Sequence, residues 1–253
     1  MAERVNKLTN FFSAKQTLAL SLFLFPFSQL VVGGFATVFL AAITTLFTGG
    51  TFDDALNGES GTLLTFATLV FAYAFLLFAI KGLVKLRNYK LSDIGLKKPT
   101  IEDIGWGVLG YIGFVIIFLI VSFIMTLIPF IDTDQVQEIT KMDSSSVGAM
   151  IALFLGLVIA APLVEELMFR GFLYTGLRTK WRFLPALIVT SLYFGIVHIE
   201  LSPDANWAAV IATTILSVVL VTLREKTGSL TAPIIVHGLN NFVAFIFVFA
   251  LQI

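Results

Sequence analysis

Three short groups of polar residues interrupt the apolar stretches of this sequence, and they contain residue types that activate water. The groups are Glu165-Glu166-x-x-x-Arg170, Phe194-x-x-x-His198 and His237-x-x-x-Asn241. A carboxylate can accept a proton from water, and imidazole and carboxamide groups can orient that water or stabilise an oxyanion. These residue types predict peptide hydrolysis without a covalent intermediate, with four candidate catalytic residues: Glu165, His198, His237 and Asn241.

The two adjacent glutamates are predicted to differ in role. Glu166 and Arg170 are four residues apart, so on a helix they share one face and can pair. Glu165 points about 100° away from Glu166 and has no basic partner in the local sequence. A carboxylate of this kind in a dry site suits a general base. The Glu166–Arg170 pair would neutralise one carboxylate and leave Glu165 as the candidate base.

Each group also has an interpretation without chemistry. The fourth span could end early, leaving both glutamates in cytoplasmic water, and His198 could mark the outer membrane interface. His237 and Asn241 could form a polar clamp between helices. At about 1.5 Å of rise per residue, however, all three groups lie roughly 17 to 24 Å from the basic residues that flank their spans. This common depth favours one polar site in the middle of the bilayer.

The composition and motifs exclude several other hydrolytic mechanisms. Cys is absent, which excludes a thiol nucleophile, disulfides and cysteine metal ligands. The sequence contains neither an HExxH pair nor a G-x-S-x-G serine turn, and its Asp residues fall in predicted connections. Glu165, His198 and His237 could also bind Zn²⁺, with water as the fourth ligand. The interpretation without a cofactor ranks higher because Asn241 is an unusual zinc ligand.

The elements that must position these residues are membrane-spanning helices. Hydrophobic residues make up 58% of the 253 residues and charged residues 13%, against about 45–50% and about 25% in soluble domains. A spanning helix needs about 20 apolar residues, and no alternating pattern of a β-barrel is present. The predicted fold is an all-α, polytopic membrane helix bundle of about seven transmembrane helices, with a range of six to eight. The predicted spans are Leu18–Phe47, Thr62–Val84, Trp106–Phe130, Val147–Leu177, Phe183–His198, Ala205–Leu223 and Pro233–Ile253.

The charges predict the orientation and the type of partner. Basic residues cluster before the first span and in alternate connections, so the N-terminus is predicted to be cytoplasmic and the C-terminus outside. The first apolar run is too long for a cleaved signal, and it is predicted as a retained span with an irregularity at Pro26 or near Gly33-Gly34. The net charge is zero, so nothing indicates a nucleic-acid partner. We expect a single membrane domain over residues 1–253, with generic spans in 1–90 and the catalytic core in 147–247.

In this order and spacing, the three polar groups resemble the motifs of the CPBP intramembrane proteases. This family includes the CAAX prenyl endopeptidases, the bacterial abortive-infection (Abi) proteins and bacteriocin self-immunity proteins. The resemblance covers roughly Val147 to Phe247 and extends to two flanks, Arg170-Gly171-Phe172-Leu173-Tyr174 and Thr227-Gly228-Ser229-Leu230-Thr231-Ala232-Pro233-Ile234. It implies a helical membrane fold with a cavity open toward the cytoplasmic leaflet, and a metal-free glutamate mechanism. It also implies that Glu165 activates water, with the other predicted catalytic residues around the water and the oxyanion, namely His198, His237 and Asn241. Glu166 and Arg170 would then be structural or supporting, and Phe194 is also expected to support the site.

The leading hypothesis is an intramembrane endopeptidase in a bacterial plasma membrane. Its expected partners are the lipid bilayer and a substrate that is a membrane-associated protein or a peptide precursor, and the sequence assigns no oligomeric state. The alternative is a non-enzymatic protein for bacteriocin self-immunity or membrane-protein binding, in which the polar groups are only clamps. A proton-coupled transporter that uses Glu165 and both histidines is disfavoured, because we find no inverted repeat and no paired broken helices.

Overall fold

The computed structural model describes residue 8 and residues 10–128, 144–199 and 207–250, and every regular element in these ranges is a helix. The helices are α1 (Ala14–Thr48), α2 (Phe52–Leu56), α3 (Gly58–Leu86), α4 (Ile101–Thr126), α5 (Val147–Arg178), α6 (Phe183–Ile196), α7 (Trp207–Thr227) and α8 (Thr231–Phe249). Six of them, all except α2 and α6, are long and apolar enough to cross a membrane. The predicted polytopic all-α bundle is therefore confirmed.

The predicted spans agree with the helices, and the main difference is in the fifth. This helix was expected to reach His198, but α6 ends at Ile196 after 14 residues. Such a helix is about 21 Å long, whereas the hydrocarbon core is about 30 Å thick. A helix of this length that begins at one interface ends inside the hydrocarbon region, and His198 follows that end directly. The predicted ends at Phe130, Ala205 and Ile253 lie outside the described residues.

Hydroxyl side chains determine where three of the helices begin. Thr51 and Asp54 form a capping box at the start of α2, and Thr100 and Asp103 form another at the start of α4. Ser146 caps α5 by accepting a hydrogen bond from the backbone amide three residues later. These contacts satisfy amides that the first helical turn leaves without a partner in the helix. The polar residues before each run therefore fix its first turn.

Two of the spanning helices contain π-helical stretches of seven residues, namely Phe27–Gly33 in α1 and both Phe154–Ala160 and Leu167–Leu173 in α5. In a π-helix an amide donates to the carbonyl five residues earlier, so each stretch changes the register of the helix. The stretch in α1 begins directly after Pro26 and ends at Gly33. The irregularity predicted there is confirmed, and it is a change of register rather than a break.

The chain divides into two compact units. The first contains the described residues within Met1–Ser21, Lys81–Val136 and Glu165–His237. In its core α4, α7 and α8 meet through apolar side chains that include Phe114, Leu216, Leu220, Leu223 and Val236. Helices α6 and α7 pack closely at Gly195, where a Cβ would collide with the Thr214 side chain. The absence of a side chain at Gly195 thus allows the two helices to approach within the first unit.

The second unit contains the described residues within Leu22–Ile80, Gln137–Val164 and Gly238–Ile253. One part of its core joins the start of α5 to the end of α8 through Leu153, Val158, Phe245 and Phe249. Another joins α1, α2 and α3 through Ala41, Ala55 and Leu64. The expectation of a single membrane domain, with generic spans in 1–90 and a core in 147–247, stays a prediction.

Helix α5 is the most enclosed of the six spanning helices, and α4 is the least. In α5, 44% of the most apolar segment is buried by protein, against 11% in α4. Exposed apolar side chains cover α4, as expected of a helix that faces lipid; they include Ile112, Ile116, Leu119 and Phe123. The helix that carries the predicted acid pair is thus the one with the greatest protein cover.

Candidate active site

Glu166 and Arg170 form a buried ion pair on one face of α5. Arg170 Nη1 lies 2.7 Å from Glu166 Oε1, and both side chains are fully buried. Glu166 ends an α-helical turn and Arg170 lies in the π-helical stretch Leu167–Leu173. The i,i+4 pairing predicted from the sequence is confirmed.

Two neighbouring helices compensate for the burial of the Arg170 guanidinium. Its Nη2 donates a hydrogen bond of 2.6 Å to Ser217 Oγ on α7. Its Cζ lies 4.3 Å from the centroid of the Phe194 ring on α6, a distance suited to a cation–π interaction. A buried charge is stable only with partners of this kind. Because Arg170 has no exposed surface, it can act only as part of the framework.

His237 on α8 is oriented by Glu166. Its Nδ1 lies 2.9 Å from Glu166 Oε1, the same oxygen that accepts the hydrogen bond from Arg170. Because Glu166 Oε1 already acts as an acceptor toward Arg170, the proton of its contact with His237 is assigned to His237 Nδ1. The other nitrogen of the neutral ring, Nε2, is then an acceptor, and it lies 4.0 Å from Glu165 Oε2. Glu166 thus selects the tautomer that His237 presents to Glu165.

His198 is oriented by the backbone of α6, the helix that precedes it. Its Nδ1 lies 2.6 Å from the Phe194 carbonyl oxygen, which can only accept, so this nitrogen also carries the proton. Its Nε2 lies 3.8 Å from Glu165 Oε2. The His198 side chain is 31% exposed, whereas those of Glu165 and His237 are 8% and 4% exposed. His198 therefore forms the accessible side of the cluster.

Two acceptor nitrogens therefore converge on one carboxylate oxygen. Separations of 3.8 and 4.0 Å from Glu165 Oε2 are too long for direct hydrogen bonds, but they suit a bridging water. Two hydrogen bonds of about 2.8 Å that meet at a water oxygen connect acceptors about 4 Å apart. A water that donates to Glu165 and to a histidine keeps its lone pairs available for attack on a carbonyl carbon.

The Phe194 ring packs against both histidines of the cluster and against Arg170. Its centroid lies 4.5 Å from that of His198 and 5.7 Å from that of His237, in addition to its contact with the Arg170 guanidinium. The side chain is fully buried. Phe194 thus contacts two of the catalytic candidates, and its predicted supporting role stays a prediction.

Asn241, also on α8, uses its amide differently from the prediction. Asn241 Nδ2 donates a hydrogen bond of 2.9 Å to the Leu157 carbonyl. In α5 the Ala161 amide donates to Gly156 instead, and Pro162 has no amide proton. The Leu157 carbonyl therefore accepts neither from the amide four residues later, as in an α-helix, nor from the amide five residues later, as in a π-helix. The Asn241 amide takes the place of these donors. The oxyanion-stabilising role of Asn241 would require its second amide hydrogen, and that role stays a prediction.

The predicted metal alternative matches this cluster in its donor types but not in its spacing. Carboxylate and imidazole are common zinc ligands, and Nδ1 hydrogen bonds like those described here orient such ligands. Ligands about 2.0–2.2 Å from a tetrahedral zinc are about 3.3–3.5 Å apart, whereas these atoms are 3.8 and 4.0 Å apart. Within the described ranges, no group of three or more His, Asp or Glu is arranged to hold a metal ion. The zinc alternative stays a prediction.

One buried residue beside this cluster was not predicted. Arg224 follows the predicted span Ala205–Leu223 directly in the sequence, which is the place of a basic residue at a membrane interface, but it lies near the C-terminal end of α7 and is 1% exposed. Its Nε donates to the Arg170 carbonyl at 3.2 Å, and its Nη2 donates to the Ile94 carbonyl at 2.9 Å. A basic residue at the end of a span is ordinarily exposed to water, so neither the residue type nor the position of Arg224 indicated that it is buried.

Comparisons with known proteins bear on the same part of the chain. Residues 147–243 match the family described as type II CAAX prenyl endopeptidase Rce1-like. The chain is also 29% identical over 145 residues to the UPF0177 protein YbdI of Lactococcus lactis subsp. lactis (strain IL1403), an alignment that covers 57% of this chain and 74% of that protein. No solved structure matches the chain.

These matches confirm the resemblance inferred from the three polar groups. The matched segment begins with α5 and contains all four predicted catalytic residues: Glu165, His198, His237 and Asn241. With six helices that can cross a membrane, the chain is a multi-pass membrane protein, and its residues 147–243 are similar to a family of CAAX proteases.

Proposed function

We propose that this protein is an intramembrane endopeptidase that hydrolyses a peptide bond of a membrane-associated protein or peptide precursor. The observation that supports the proposal is the convergence of His198 Nε2 and His237 Nε2 on Glu165 Oε2 at 3.8 and 4.0 Å. Both rings are fixed at Nδ1, and the cluster combines a largely buried carboxylate with one accessible histidine. A polar clamp between helices would need neither histidines with a fixed tautomer nor a histidine that is accessible from outside.

The reaction begins with a water that bridges Glu165 and a histidine. Glu165 accepts one proton from this water while the oxygen forms a bond to the carbonyl carbon of the substrate, which gives a tetrahedral oxyanion. When the C–N bond breaks, the proton passes from Glu165 to the leaving amine. The neutral tautomer of His237 has no N–H directed at Glu165, so it can donate to the oxyanion only when both of its nitrogens are protonated. The second amide hydrogen of Asn241 is the other proposed donor.

The substrate class follows from where the cluster lies. Glu165 and His237 lie in helices that can cross a membrane, so the scissile bond must reach a site at membrane depth. A peptide with an apolar segment or a lipid anchor can do so. Because the matched relative is bacterial, we place the protein in a bacterial plasma membrane and expect unprenylated precursors, such as leader-bearing peptides, as substrates.

Comparing peptides from living cells tests this proposal. Cells that express the wild type, Glu165→Gln or Glu102→Gln at matched levels are profiled for new termini in membrane proteins and secreted peptides. Glu102 lies in the exposed first turn of α4 and serves as a matched control. Termini found with the wild type and Glu102→Gln but absent with Glu165→Gln are expected. Identical profiles from all three, with an immunity or complex-assembly phenotype retained, would overturn the proposal in favour of a binding protein.

Chelation separates the metal-free mechanism from the zinc alternative. The purified wild type is treated with a strong chelator, freed of metal and assayed on a peptide identified in the cellular experiment. We expect activity to persist, because a bridging water needs only the carboxylate and the imidazoles. Loss of activity that is restored by Zn²⁺ would assign Glu165, His198 and His237 to metal binding instead.

A further inference from the structure

Arg224 connects α7 to the backbone of the catalytic helix. At the end of the second π-helical stretch, the Tyr174 amide donates to the Phe169 carbonyl rather than to Arg170. The Arg170 carbonyl instead accepts hydrogen bonds from Arg224 Nε at 3.2 Å and from Thr175 Oγ1 at 3.4 Å. Arg224 Nη2 also donates to Thr175 Oγ1 at 3.2 Å. The guanidinium thus holds the carbonyl of the residue whose side chain pairs with the acid.

The other face of this guanidinium is covered by a turn. Residues 91–95, named here the 91–95 turn, lie in the connection between α3 and α4. The Ile94 carbonyl of this turn accepts a 2.9 Å hydrogen bond from Arg224 Nη2. Gly95 has a φ of +106°, and a Cβ on it would lie 2.6 Å from Arg224 Cζ. The Leu230 amide donates to the Gly95 carbonyl at 2.9 Å. Both the conformation and the close approach therefore require glycine at position 95.

The same turn also contacts the π-helical stretch directly. Ile94 is fully buried, and its Cδ1 lies 3.5 Å from the position that a Cβ on Gly171 would occupy. Gly171 is the residue after Arg170. The 91–95 turn therefore touches the catalytic helix at adjacent residues, once through the Arg224 guanidinium and once through the Ile94 side chain.

The charges of the buried side chains support a functional link. The formally charged residue types buried in α5 and α7 are two carboxylates and two guanidinium groups, namely Glu165, Glu166, Arg170 and Arg224. Buried charges are stable only with partners. Glu166 contacts both Arg170 and His237, so the position of the Arg170 guanidinium bears directly on the histidine of the site.

We propose that Arg224, clamped by the 91–95 turn, is a positioning residue that sets the orientation of the Arg170–Glu166–His237 chain for catalysis. The inference rests on the proposed endopeptidase function and deepens it. Arg224 touches no substrate; it fixes the Arg170 backbone, from which the guanidinium orients Glu166 and, through it, His237. A displacement of about 1 Å at a reacting group can reduce a rate about 100-fold, so loosening this clamp lowers kcat while KM is retained.

The experiment measures kcat and KM for Arg224→Lys, Arg224→Met and Gly95→Ala on a peptide whose cleavage requires Glu165. A lysine cannot reach the Arg170 and Ile94 carbonyls together, so Arg224→Lys is expected to lose about 10-fold in kcat with KM within about 2-fold. Arg224→Met and Gly95→Ala are expected to lose about 100-fold. The matched controls are Arg182→Met, at an exposed position, and Gly113→Ala, where a Cβ meets nothing; both are expected to keep the wild-type kcat.

A double-mutant cycle tests whether the turn acts through the guanidinium. Gly95→Ala combined with Arg224→Met is expected to lose no more activity than either change alone, because both disable the same clamp. Ile94→Val removes only the Cδ1 methyl and keeps the buried backbone contacts, so this mild variant folds and is expected to lose a few-fold in kcat. All rates are expressed per folded molecule.

The outcomes distinguish this inference from the proposed function. Wild-type kcat in Arg224→Lys and Ile94→Val, or additive losses in the cycle, overturns the positioning role while Glu165-dependent cleavage still stands. A total activity that falls only in proportion to the folded fraction, with kcat per folded molecule unchanged, assigns Arg224 to stability alone. Cleavage that persists in Glu165→Gln overturns the proposed function itself, whatever Arg224 does.

Discussion

The two π-helical stretches of α5 have equal lengths and opposite surroundings. In Phe154–Ala160 only Gly156 and Val158 are buried, while Leu155 and Ile159 are 44% and 51% exposed. In Leu167–Leu173 all seven residues are buried. The first stretch thus presents apolar side chains at an outer surface, and the second is enclosed by protein.

Beside each stretch, one carbonyl of α5 accepts a hydrogen bond from a side chain of another helix, although the Arg170 carbonyl also accepts from Thr175 Oγ1 of α5 itself. The Leu157 carbonyl accepts from the Asn241 amide, and the Arg170 carbonyl accepts from the Arg224 guanidinium. A neutral donor serves the stretch without ionisable residues, and a charged donor serves the stretch beside the acid pair. A change of helix register thus creates a polar site both in the partly exposed stretch and in the buried one. The ionisable neighbours then decide whether that site only joins helices or takes part in chemistry.

The largest effect should come from removing the charge in the second stretch. Arg170→Met leaves Glu166 buried and unpaired, which should lower the free energy of unfolding by about 3–5 kcal/mol. Ser217→Ala removes only one hydrogen bond to the same guanidinium and should cost about 1.5–3 kcal/mol. Reversible unfolding in mixed micelles measures both values. Equal stability of Arg170→Met and the wild type would contradict the comparison, because the pair would then contribute nothing.

A smaller effect is expected when the neutral donor of the first stretch is removed. Asn241→Leu leaves the Leu157 carbonyl without a partner and should cost about 1–3 kcal/mol in the same unfolding assay. Pro162→Ala supplies an amide proton five residues after Leu157, so in that background the cost of Asn241→Leu should shrink. Any loss of kcat caused by Asn241→Leu should persist there, because catalysis would need the carboxamide itself. A stability cost that Pro162→Ala does not change would disprove the carbonyl-capping account.

The smallest effect on stability is expected from changing Phe194, whose ring contacts Phe169 and Arg170 of the second stretch. Phe194→Leu removes the aromatic face under Arg170 and both imidazoles, with an expected cost of about 1–2 kcal/mol in stability. We also expect about a tenfold loss of kcat, because both histidines lose their common support. Phe114→Leu, a similar change in the core shared by α4, α7 and α8, should affect stability but not kcat. Equal kcat losses in the two variants would show that Phe194 has no specific role.

Much of the fold was predictable from the sequence because its signals are local. Apolar runs of sufficient length identify the spanning helices, and the spacing of Glu166 and Arg170 identifies their pairing. The common depth of three polar groups also predicted that Glu165, His198 and His237 meet. Each of these inferences needs only helix geometry and the thickness of a bilayer.

The remaining features depend on backbone register and could not be read from residue types. Hydropathy does not distinguish a π-helical from an α-helical turn, so the free carbonyl at Leu157 and its use of Asn241 were not foreseen. The burial of Arg224 depends on a turn more than 100 residues earlier in the chain, at Ile94 and Gly95. Such contacts arise from tertiary packing, which a single sequence does not encode in any short pattern.

The central claim, that Glu165 activates water for peptide hydrolysis, is tested most directly by isotope labelling. Purified wild type and Glu165→Gln are reconstituted with membranes from cells lacking the protein, in water enriched in ¹⁸O, and the new C-termini are analysed by mass spectrometry. We predict that wild type produces new C-termini carrying ¹⁸O and that Glu165→Gln reduces their formation by at least about 100-fold. The same labelled termini at the same rate with Glu165→Gln would contradict the account.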